Sequence, residues 1–318
     1  MRTEALRMEN ISMEFSGVYV LSDMQLQVDR GSIHALVGEN GAGKSTLIKI
    51  LGGIYKPKTG KIFIDGEESS IHHVQDAQKK GISIIHQEIS LVPSLNIAAT
   101  VFLGRELSKL GFKSEGKMLH MAQEMIDALG IDLSARTAVS ELTIAQQQLV
   151  EIIKAVSFNA RILVLDEPTS SLSPKETRRL FEIIRRLQSK GVAIIYISHK
   201  MDEIFEICDE VSVLRDGNLV MTKKTEETNM NELITAMVGR SLESRFPPVD
   251  NTPGDTILSV QHLSTKYAPY LQDIACDVRE GEIFGLYGLV GAGRTELLET
   301  IFGGRTRAAG RVYFKNRL

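Results

Sequence analysis

The sequence predicts an α/β fold with a mostly parallel core sheet, an antiparallel β subdomain and a helical subdomain. Short apolar runs alternate with amphipathic helical patterns, which is typical of a parallel sheet covered by helices. Residues 5–35 alternate apolar and polar side chains between turn residues, which indicates antiparallel strands. Residues 94–140 carry helical periodicity, with loops expected around Gly111 and Gly116. The helical subdomain is therefore expected at about residues 94–156.

The composition is that of an ordinary globular protein. The chain has 318 residues, of which 43% are hydrophobic and 24% charged, and the length suits about two domains. A net charge of −3 gives no overall positive field that would recruit nucleic acid. No apolar stretch approaches a membrane span, the first ten residues lack the apolar core of a signal peptide, and two cysteines cannot build a disulfide framework. We expect a cytoplasmic protein with no membrane segment of its own.

A glycine-rich loop follows the first buried strand. Its sequence, GENGAGKST, comprises Gly38, Glu39, Asn40, Gly41, Ala42, Gly43, Lys44, Ser45 and Thr46. An apolar run precedes it and a helical pattern follows, which is the context of a phosphate-binding loop. The glycines let successive backbone N–H groups point at a polyphosphate, and the new helix adds its positive dipole end. Lys44 would reach the β and γ phosphates and Ser45 would bind Mg²⁺, so the loop predicts a nucleoside triphosphate site.

Three further elements follow from local patterns. Residues 140–156 fit a loop and a long amphipathic helix, which Ser140 or Thr143 could cap. A helix is expected from Pro174 to Lys190, and residues 211–222 fit a hairpin with an Asp-Gly turn.

Two carboxylates follow the buried strand ARILVL. Asp166 and Glu167 stand at its carboxyl end, where an unpaired charge would be costly to bury. A Mg²⁺ ion would explain Asp166. Glu167 points to the other side of the chain and could polarise a water for attack on a γ phosphate. The alternative is a solvated Asp-Glu turn.

Polar residues also follow two other buried strands. Gln87 comes after GISII, and His199 comes after GVAIIYIS. The carboxyl ends of parallel strands meet at one crevice, where His199 would sense the γ phosphate. Gln87 is explained equally well as a solvated loop residue. Phe15, 29 positions before Lys44, could stack on an adenine ring, although composition favours a core position.

The last part of the chain repeats the first. GLVGAGRTEL at 288–297 aligns with GENGAGKSTL at 38–47, an offset of 250 residues. A Pro-rich, polar linker is expected at 241–256. It separates a first domain at 1–240 from the N-terminal part of a second copy at 257–318.

The second copy differs from the first in two ways. Arg294 stands where the first loop has Lys44, and a planar guanidinium does not replace a compact ammonium. The copy also spans only 62 residues, which is marginal for an independent fold. We expect it to be degenerate and incomplete.

Taken together, these motifs resemble the ATP-binding cassette superfamily across essentially the whole chain. In chain order the resemblance matches Phe15 to the adenine-stacking aromatic position, residues 38–46 to the Walker A loop, Gln87 to the Q-loop, residues 142–146 (LTIAQ) to the signature loop, Asp166 to the Walker B aspartate, Glu167 to the catalytic glutamate, residues 170–173 to the D-loop and His199 to the switch histidine. The signature departs from the superfamily's LSGGQ, because Thr143, Ile144 and Ala145 replace its Ser and two Gly.

The resemblance implies a role for each matched residue. Catalytic roles are implied for Glu167, His199 and Gln87. The implied Mg²⁺ ligands are Ser45, Gln87 and Asp166. Contacts with ATP are implied for Phe15, residues 38–46, Thr143 and Gln146, with ATP held between the Walker A loop of one cassette and the signature loop of another. An ATP-dependent dimer of cassettes fits the same resemblance.

More narrowly, the chain resembles the tandem-cassette ATPase subunits of bacterial monosaccharide importers of the ribose/galactose type. The segment QQQLVEI after the signature loop, the motif MVGR at 237–240 and the second loop GLVGAGRTEL carry this resemblance. It implies an ATP-hydrolysing motor at the cytoplasmic face of the inner membrane. Its partners would be two membrane permease subunits and, indirectly, a periplasmic sugar-binding protein.

Other functions remain open from the sequence. A nucleoside or small-metabolite importer shares the tandem layout, and a non-catalytic nucleotide-binding regulator is a further alternative. A soluble cassette ATPase of translation or DNA repair is disfavoured by the short linker and the acidic net charge. Because the permease and the binding protein select the substrate, this chain does not identify the sugar.

Overall fold

The computed structural model of the chain describes residues 3–109, 112–239, 251–268, 270–289, 291–315 and 317. It divides into two compact units, Met1–Leu242 and Glu243–Leu318. Ten residues of the predicted linker, 241–250, lie outside the described residues, as does Arg240 of the MVGR motif.

The first unit contains both predicted kinds of sheet and a set of helices. Its strands are β1 (Glu4–Phe15), β2 (Val18–Asp29), β3 (Ile33–Gly38), β4 (Thr59–Ile64), β5 (Glu67–Glu68), β6 (Ile82–Ile85), β7 (Ser108–Lys109), β8 (Phe112–Lys113), β9 (Ile162–Asp166), β10 (Ala193–Ile197), β11 (Glu210–Arg215) and β12 (Asn218–Lys224). Its helices are α1 (Lys44–Leu51), α2 (Val74–Lys79), α3 (Ile97–Val101), α4 (Glu115–Ala128), α5 (Ile144–Ser157), α6 (Pro174–Ser189), α7 (Met201–Ile207) and α8 (Met230–Val238). Within the described parts of the chain, no helix has the length and apolar character needed to cross a bilayer.

An antiparallel sheet in the order β2-β1-β4-β5 forms the predicted β subdomain. The hairpin between β1 and β2 turns at Ser16 and Gly17, whose φ angles are 49° and 86°. Met24, Leu26 and Val28 of β2 are buried in alternation, since that face of the strand packs on the core, whereas register shifts in β1 interrupt the alternation of its buried residues. The antiparallel region predicted at residues 5–35 extends too far toward the C-terminus. Residues 33–35 belong to β3, which pairs in parallel in the other sheet.

The core sheet has the strand order β12-β11-β3-β10-β9-β6. Strands β11, β3, β10, β9 and β6 run parallel, and only β12 is antiparallel, joined to β11 by the predicted hairpin. β10 is fully buried and β9 nearly so, as expected for parallel strands covered on both faces. The carboxyl ends of β3, β6, β9 and β10 therefore lie along one edge of the sheet.

The helical subdomain contains α3, α4 and α5, as the periodicity predicted. Thr143 is the N-cap of α5, and its side chain and that of Gln146 form a reciprocal capping box. The loop expected around Gly116 is wrong, because Gly116 lies in the first turn of α4, where a glycine is tolerated. The loop expected around Gly111 falls outside the described residues.

The second unit is a small sheet with one helix. It contains β13 (Thr256–Thr265), β14 (Ile274–Arg279), α9 (Arg294–Phe302) and β15 (Arg307–Phe314). The sheet order β14-β13-β15 repeats the order β2-β1-β4 of the first unit. Its buried core comprises Val260, Leu263, Leu271 and Leu297. Residues 281–289 are neither helix nor strand.

Candidate active site

The glycine-rich loop connects β3 to α1 and is shaped by contacts that exclude side chains. A Cβ atom at Gly38 would overlap the carbonyl oxygen of Leu214 in the neighbouring strand β11. Gly43, the N-cap of α1, has a φ of 105°, and a Cβ there would lie 2.6 Å from Leu21 Cδ2. Both positions therefore need glycine, and they fix the path of the loop into the first turn of α1.

Lys44 is held in the mouth of this loop. Its Nζ donates hydrogen bonds to the carbonyl oxygens of Gly38 (2.7 Å) and Glu39 (2.9 Å). Burial lowers the pKa of Lys44, and the carboxylates of Glu167 and Asp166 oppose that shift. The ammonium therefore lies between the loop backbone and two carboxylates, at the position where a phosphate chain would enter.

The ends of several parallel strands surround one cavity of about 260 Å³ next to the loop. Its lining is Val20, Asn40, Gly41, Gly43, Lys44, Ser45, Thr46, Gln87, Asp166, Glu167 and Ile197. Within the loop, Glu39 is exposed and Ala42 is buried, and neither lines the cavity. The structure thus brings together residues that are up to 177 positions apart, because the parallel sheet aligns the ends of its strands.

Asp166 is the last residue of β9 and is half-buried. Burial and the neighbouring Glu167 carboxylate raise its pKa, whereas His86 and Lys44 lower it. Sequence analysis did not consider His86, which follows β6 by one residue. A bound cation would stabilise the charged form of Asp166, because its positive charge would offset both the cost of burial and the repulsion from Glu167.

Glu167 is held by the two polar residues that follow the neighbouring strands. Gln87 Nε2 donates to Glu167 Oε2 at 3.2 Å, and His199 Nδ1 lies 3.1 Å from Glu167 Oε1. The backbone N–H of Glu167 donates to the carbonyl of Ile197 in β10 at 2.9 Å. Glu167 also has a φ of 47°, in the left-handed region that is unfavourable for a residue with a Cβ. The sequence indicated the residue, but neither its strained backbone nor these contacts.

The donor set at the cavity fits a hard divalent cation. Ser45, Gln87 and Asp166 offer hydroxyl, amide and carboxylate oxygens, the ligand types that Mg²⁺ prefers, and all three line the cavity. In the described parts of the chain, no group of three or more His, Cys, Asp and Glu side chains could hold a metal ion. A cation here would therefore depend on the hydroxyl and amide donors as well as on Asp166.

Three other predicted nucleotide-contact residues lie away from this cavity. Phe15, at the end of β1, is 39% exposed and makes an edge-on contact with Tyr55 at 5.2 Å between ring centres. The core position that composition favoured for Phe15 is therefore wrong. Thr143 and Gln146 bind each other at the start of α5, through Gln146 Oε1 and the backbone N–H of Thr143 at 2.9 Å.

A buried carboxylate beside the site escaped the sequence analysis. Glu203 of α7 is 8% exposed and accepts a hydrogen bond from Tyr196 Oη at 2.7 Å. The signal in the sequence is weak: an acidic residue one helical turn after His199, in a segment that otherwise fits an amphipathic helix. Only the folded chain shows that this carboxylate faces the core.

Comparison with known proteins identifies similar sequences and folds. A family model described as "ABC transporter" matches residues 21–170. The galactose/methyl galactoside import ATP-binding protein MglA of Treponema denticola is 48% identical over 98% of this chain and 63% of its own length. MglA of Salmonella typhimurium is 46% identical over 96% of this chain and 61% of its own length. The chain thus spans a little less than two thirds of the length of these relatives.

Solved structures of similar fold cover most of the chain. A nucleotide-free ATP-binding cassette from an ABC transporter has a TM-score of 0.65 and 24% identity, covering 74% of this chain and 95% of that one. The cbiO1 protein of Clostridium perfringens, described as part of the ABC transporter complex cbiONQ, has a TM-score of 0.64 and 25% identity, with 74% and 95% coverage. These similarities confirm the predicted fold class, an α/β cassette with an antiparallel β subdomain.

Proposed function

We propose that the chain is a member of the ABC transporter family, which its similarity to the family model and to the MglA proteins supports, and that its first cassette, residues 1–240, binds ATP with Mg²⁺ and hydrolyses it. The observation that carries the proposal is the placement of Glu167. Its carboxylate contacts both Gln87 and His199 and lines the same cavity as Lys44. A general base for water needs to be held beside the phosphate chain, and these contacts hold it there.

The residues at the site have different roles in the proposed reaction. The loop N–H groups and the Lys44 ammonium bind the β and γ phosphates of ATP. Glu167 orients and polarises the attacking water, while Gln87 and His199 fix its two oxygens. Mg²⁺, held by Ser45, Gln87 and Asp166, would neutralise charge on the phosphates.

The remaining predicted contacts involve other parts of the ATP molecule. We infer that Phe15, with an exposed ring at the end of β1, stacks on the adenine. Thr143 and Gln146 are assigned to ATP held by another cassette, in an ATP-dependent dimer. Residues 257–318 are assigned to the start of a second, degenerate cassette, separated from the first by a linker at 241–256.

The similarity to MglA proteins supports a role in sugar import. Those relatives are named for galactose and methyl galactoside import, and the similarity to the Treponema denticola protein extends over 98% of this chain. We therefore propose that the chain is the ATPase subunit of an importer for a simple sugar of the galactose type. It would work at the cytoplasmic face of the inner membrane with two permease subunits, fed by a periplasmic sugar-binding protein.

ATP hydrolysis by the full chain tests the enzymatic part. Glu167→Gln should lower kcat by about 100-fold or more, because a neutral amide cannot act as a general base. ATP binding should be retained, since Lys44 and the loop are unchanged. Glu182→Gln, at an exposed glutamate of α6 paired with Arg179, is the matched control and should leave kcat unchanged. Failure of the chain to bind ATP, or full turnover by Glu167→Gln, would contradict the proposal.

A vesicle assay tests the transport part. The chain is reconstituted in vesicles with the permease subunits of a galactose importer. Addition of galactose-loaded binding protein should then raise the ATPase rate of the chain. If the ATPase rate rises with the permease and binding protein of a nucleoside importer, but not with those of the galactose importer, the chain belongs to a different substrate class.

A further inference from the structure

We propose that Glu203 is a positioning residue for the proposed hydrolysis, with a buried carboxylate that ties together the segments carrying Glu167 and His199. This inference rests on the proposed ATPase function. Glu203 touches neither the cavity nor its lining residues among the described contacts, so it would act only through the two loops that it joins.

The carboxylate of Glu203 is surrounded by donors from three segments. Thr169 Oγ1 lies 2.7 Å from Oε1 and 2.8 Å from Oε2. Tyr196 Oη and Ser198 Oγ donate to Oε2 at 2.7 and 3.1 Å. Lys200 Nζ lies 3.1 Å from Oε1. Thr169, Tyr196 and Ser198 are all buried, so these are contacts of the protein interior.

These donors flank the two residues at the site. Thr169 follows Glu167 by two positions, and Ser198 directly precedes His199. The contact with Glu203 therefore joins the loop after β9 to the loop after β10. Lys200 Nζ strengthens the link, because it also donates to the Thr169 carbonyl oxygen at 3.0 Å. On the cavity side the same two loops meet again through Glu167 and His199, 3.1 Å apart.

The charge of Glu203 makes this link strong. Burial raises the pKa of Glu203, but the hydrogen bonds from Tyr196, Thr169 and Lys200 outweigh that effect and hold the pKa below its ordinary value. Burial also raises the pKa of Tyr196, which keeps its hydroxyl a donor. An ionised carboxylate that receives all these donors fixes their positions better than a neutral acceptor would.

Glu203→Gln in the full chain tests the proposal. The amide keeps the shape of the side chain but removes the charge and replaces one acceptor by a donor. Because loosened loops misplace Glu167 relative to bound ATP, kcat should fall by about 10- to 100-fold. The Kd for ATP should stay within about two-fold of the wild-type value, since the phosphate loop lies on other strands.

Glu232→Gln is the matched control. Glu232 also accepts from a lysine and a hydroxyl, Lys223 and Thr228, but it lies on α8 and contacts neither loop. Its kcat should be unchanged. Glu203→Asp, which keeps the charge, should recover part of the turnover that Glu203→Gln loses. If the role of Glu203 were purely structural, Glu203→Gln would lower the thermal midpoint of unfolding but would not lower kcat while leaving the Kd for ATP unchanged.

Two further measurements keep the test decisive. If Glu203→Gln does not fold, Tyr196→Phe removes one donor at nearly constant volume and should give a smaller loss of kcat. A crystal structure of the variant should show a longer distance between Glu167 Oε1 and His199 Nδ1 than 3.1 Å. This distance tests the inference even if the wild-type chain shows no turnover. The absence of turnover would contradict the proposed function, not the inference. Wild-type kcat in both variants, or an unchanged distance, would overturn the inference.

Discussion

Residues 33–46 and residues 283–296 carry the same pattern, an apolar run followed by a glycine-rich loop, but they form different structures. In the first unit the run is β3, and its residues 33–37 are buried. In the second unit the matching run is neither helix nor strand, and Ile283 and Tyr287 are 98% and 95% exposed. Among the described residues of the second unit, none pairs with this run as β10 and β11 pair with β3.

The glycine that directly precedes the helix has the same surroundings in both copies. Gly43 and Gly293 both have positive φ angles, 105° and 86°, and both precede a helix. A Cβ atom at either position would meet the equivalent leucine, at 2.6 Å from Leu21 Cδ2 or 2.5 Å from Leu271 Cδ2. The comparison shows that local contacts suffice to fix the glycine at the start of the helix, whereas the parallel strand forms only where neighbouring strands satisfy its backbone.

The largest expected difference is in amide hydrogen exchange. Amides of residues 33–37 should exchange only through extensive unfolding, because β3 is central in the core sheet. Amides of residues 283–289 should exchange almost as fast as in a free peptide. We expect rates that differ by about 1,000-fold or more, measured by mass spectrometry of the full chain. Equal protection in the two segments would show that the second run is paired.

Alanine substitution at two of the three glycines of the first loop is expected to have a smaller effect, on stability. Gly43→Ala should lower the free energy of unfolding by roughly 2–3 kcal/mol, because the added methyl group meets Leu21 and adopts an unfavourable φ. Gly41 also has a positive φ, 88°, but has open space around its Cβ position. Gly41→Ala should therefore cost only about 1 kcal/mol. Denaturant unfolding checks both values, and equal costs would remove the role assigned to Leu21.

Asp166 shows that the site opposes stability in the first unit. Since burial and Glu167 raise its pKa, the folded state favours the protonated carboxyl, and stability falls as the pH rises from the ordinary value of 3.8 through the raised pKa. Asp166→Asn removes the charge and should raise the thermal midpoint of the first unit at pH 7 by about 2–4 °C in the absence of nucleotide. The gain should shrink as the pH falls toward 3.8. A midpoint that drops at pH 7 would show that Asp166 stabilises the fold.

The motifs predicted from the sequence are those whose geometry is local. Residues 38–46 fold as a loop because glycine conformation and the following helix decide it. Asp166 and Gln87 are predicted because each follows a buried apolar run, which is also a local feature of the sequence. The positive φ of Glu167 and the donors around Glu203 depend on contacts between loops from different strands, and no sequence pattern encodes them.

Two other differences have the same physical origin. Phe15 is an apolar residue in a strand, which favours a core position, but it stands at the hairpin end where no further layer covers it. The run at 283–289 is strand-like by composition, but it has no pairing partner among the described residues and is not a strand. In both cases the tertiary neighbours decide the outcome.

Counting the ATP sites of the full chain tests the central claim most directly, namely that the loop binds nucleotide where the parallel sheet places the ends of its strands beside it. Isothermal titration with Mg-ATP, using Glu167→Gln to prevent turnover, should give one site per chain. Lys44→Ala should abolish that site. Arg294→Ala should leave the affinity for Mg-ATP within about two-fold of the value without this change, well below the ten-fold change that corresponds to about 1.4 kcal/mol. Binding lost on changing Arg294 but retained on changing Lys44 would contradict the account.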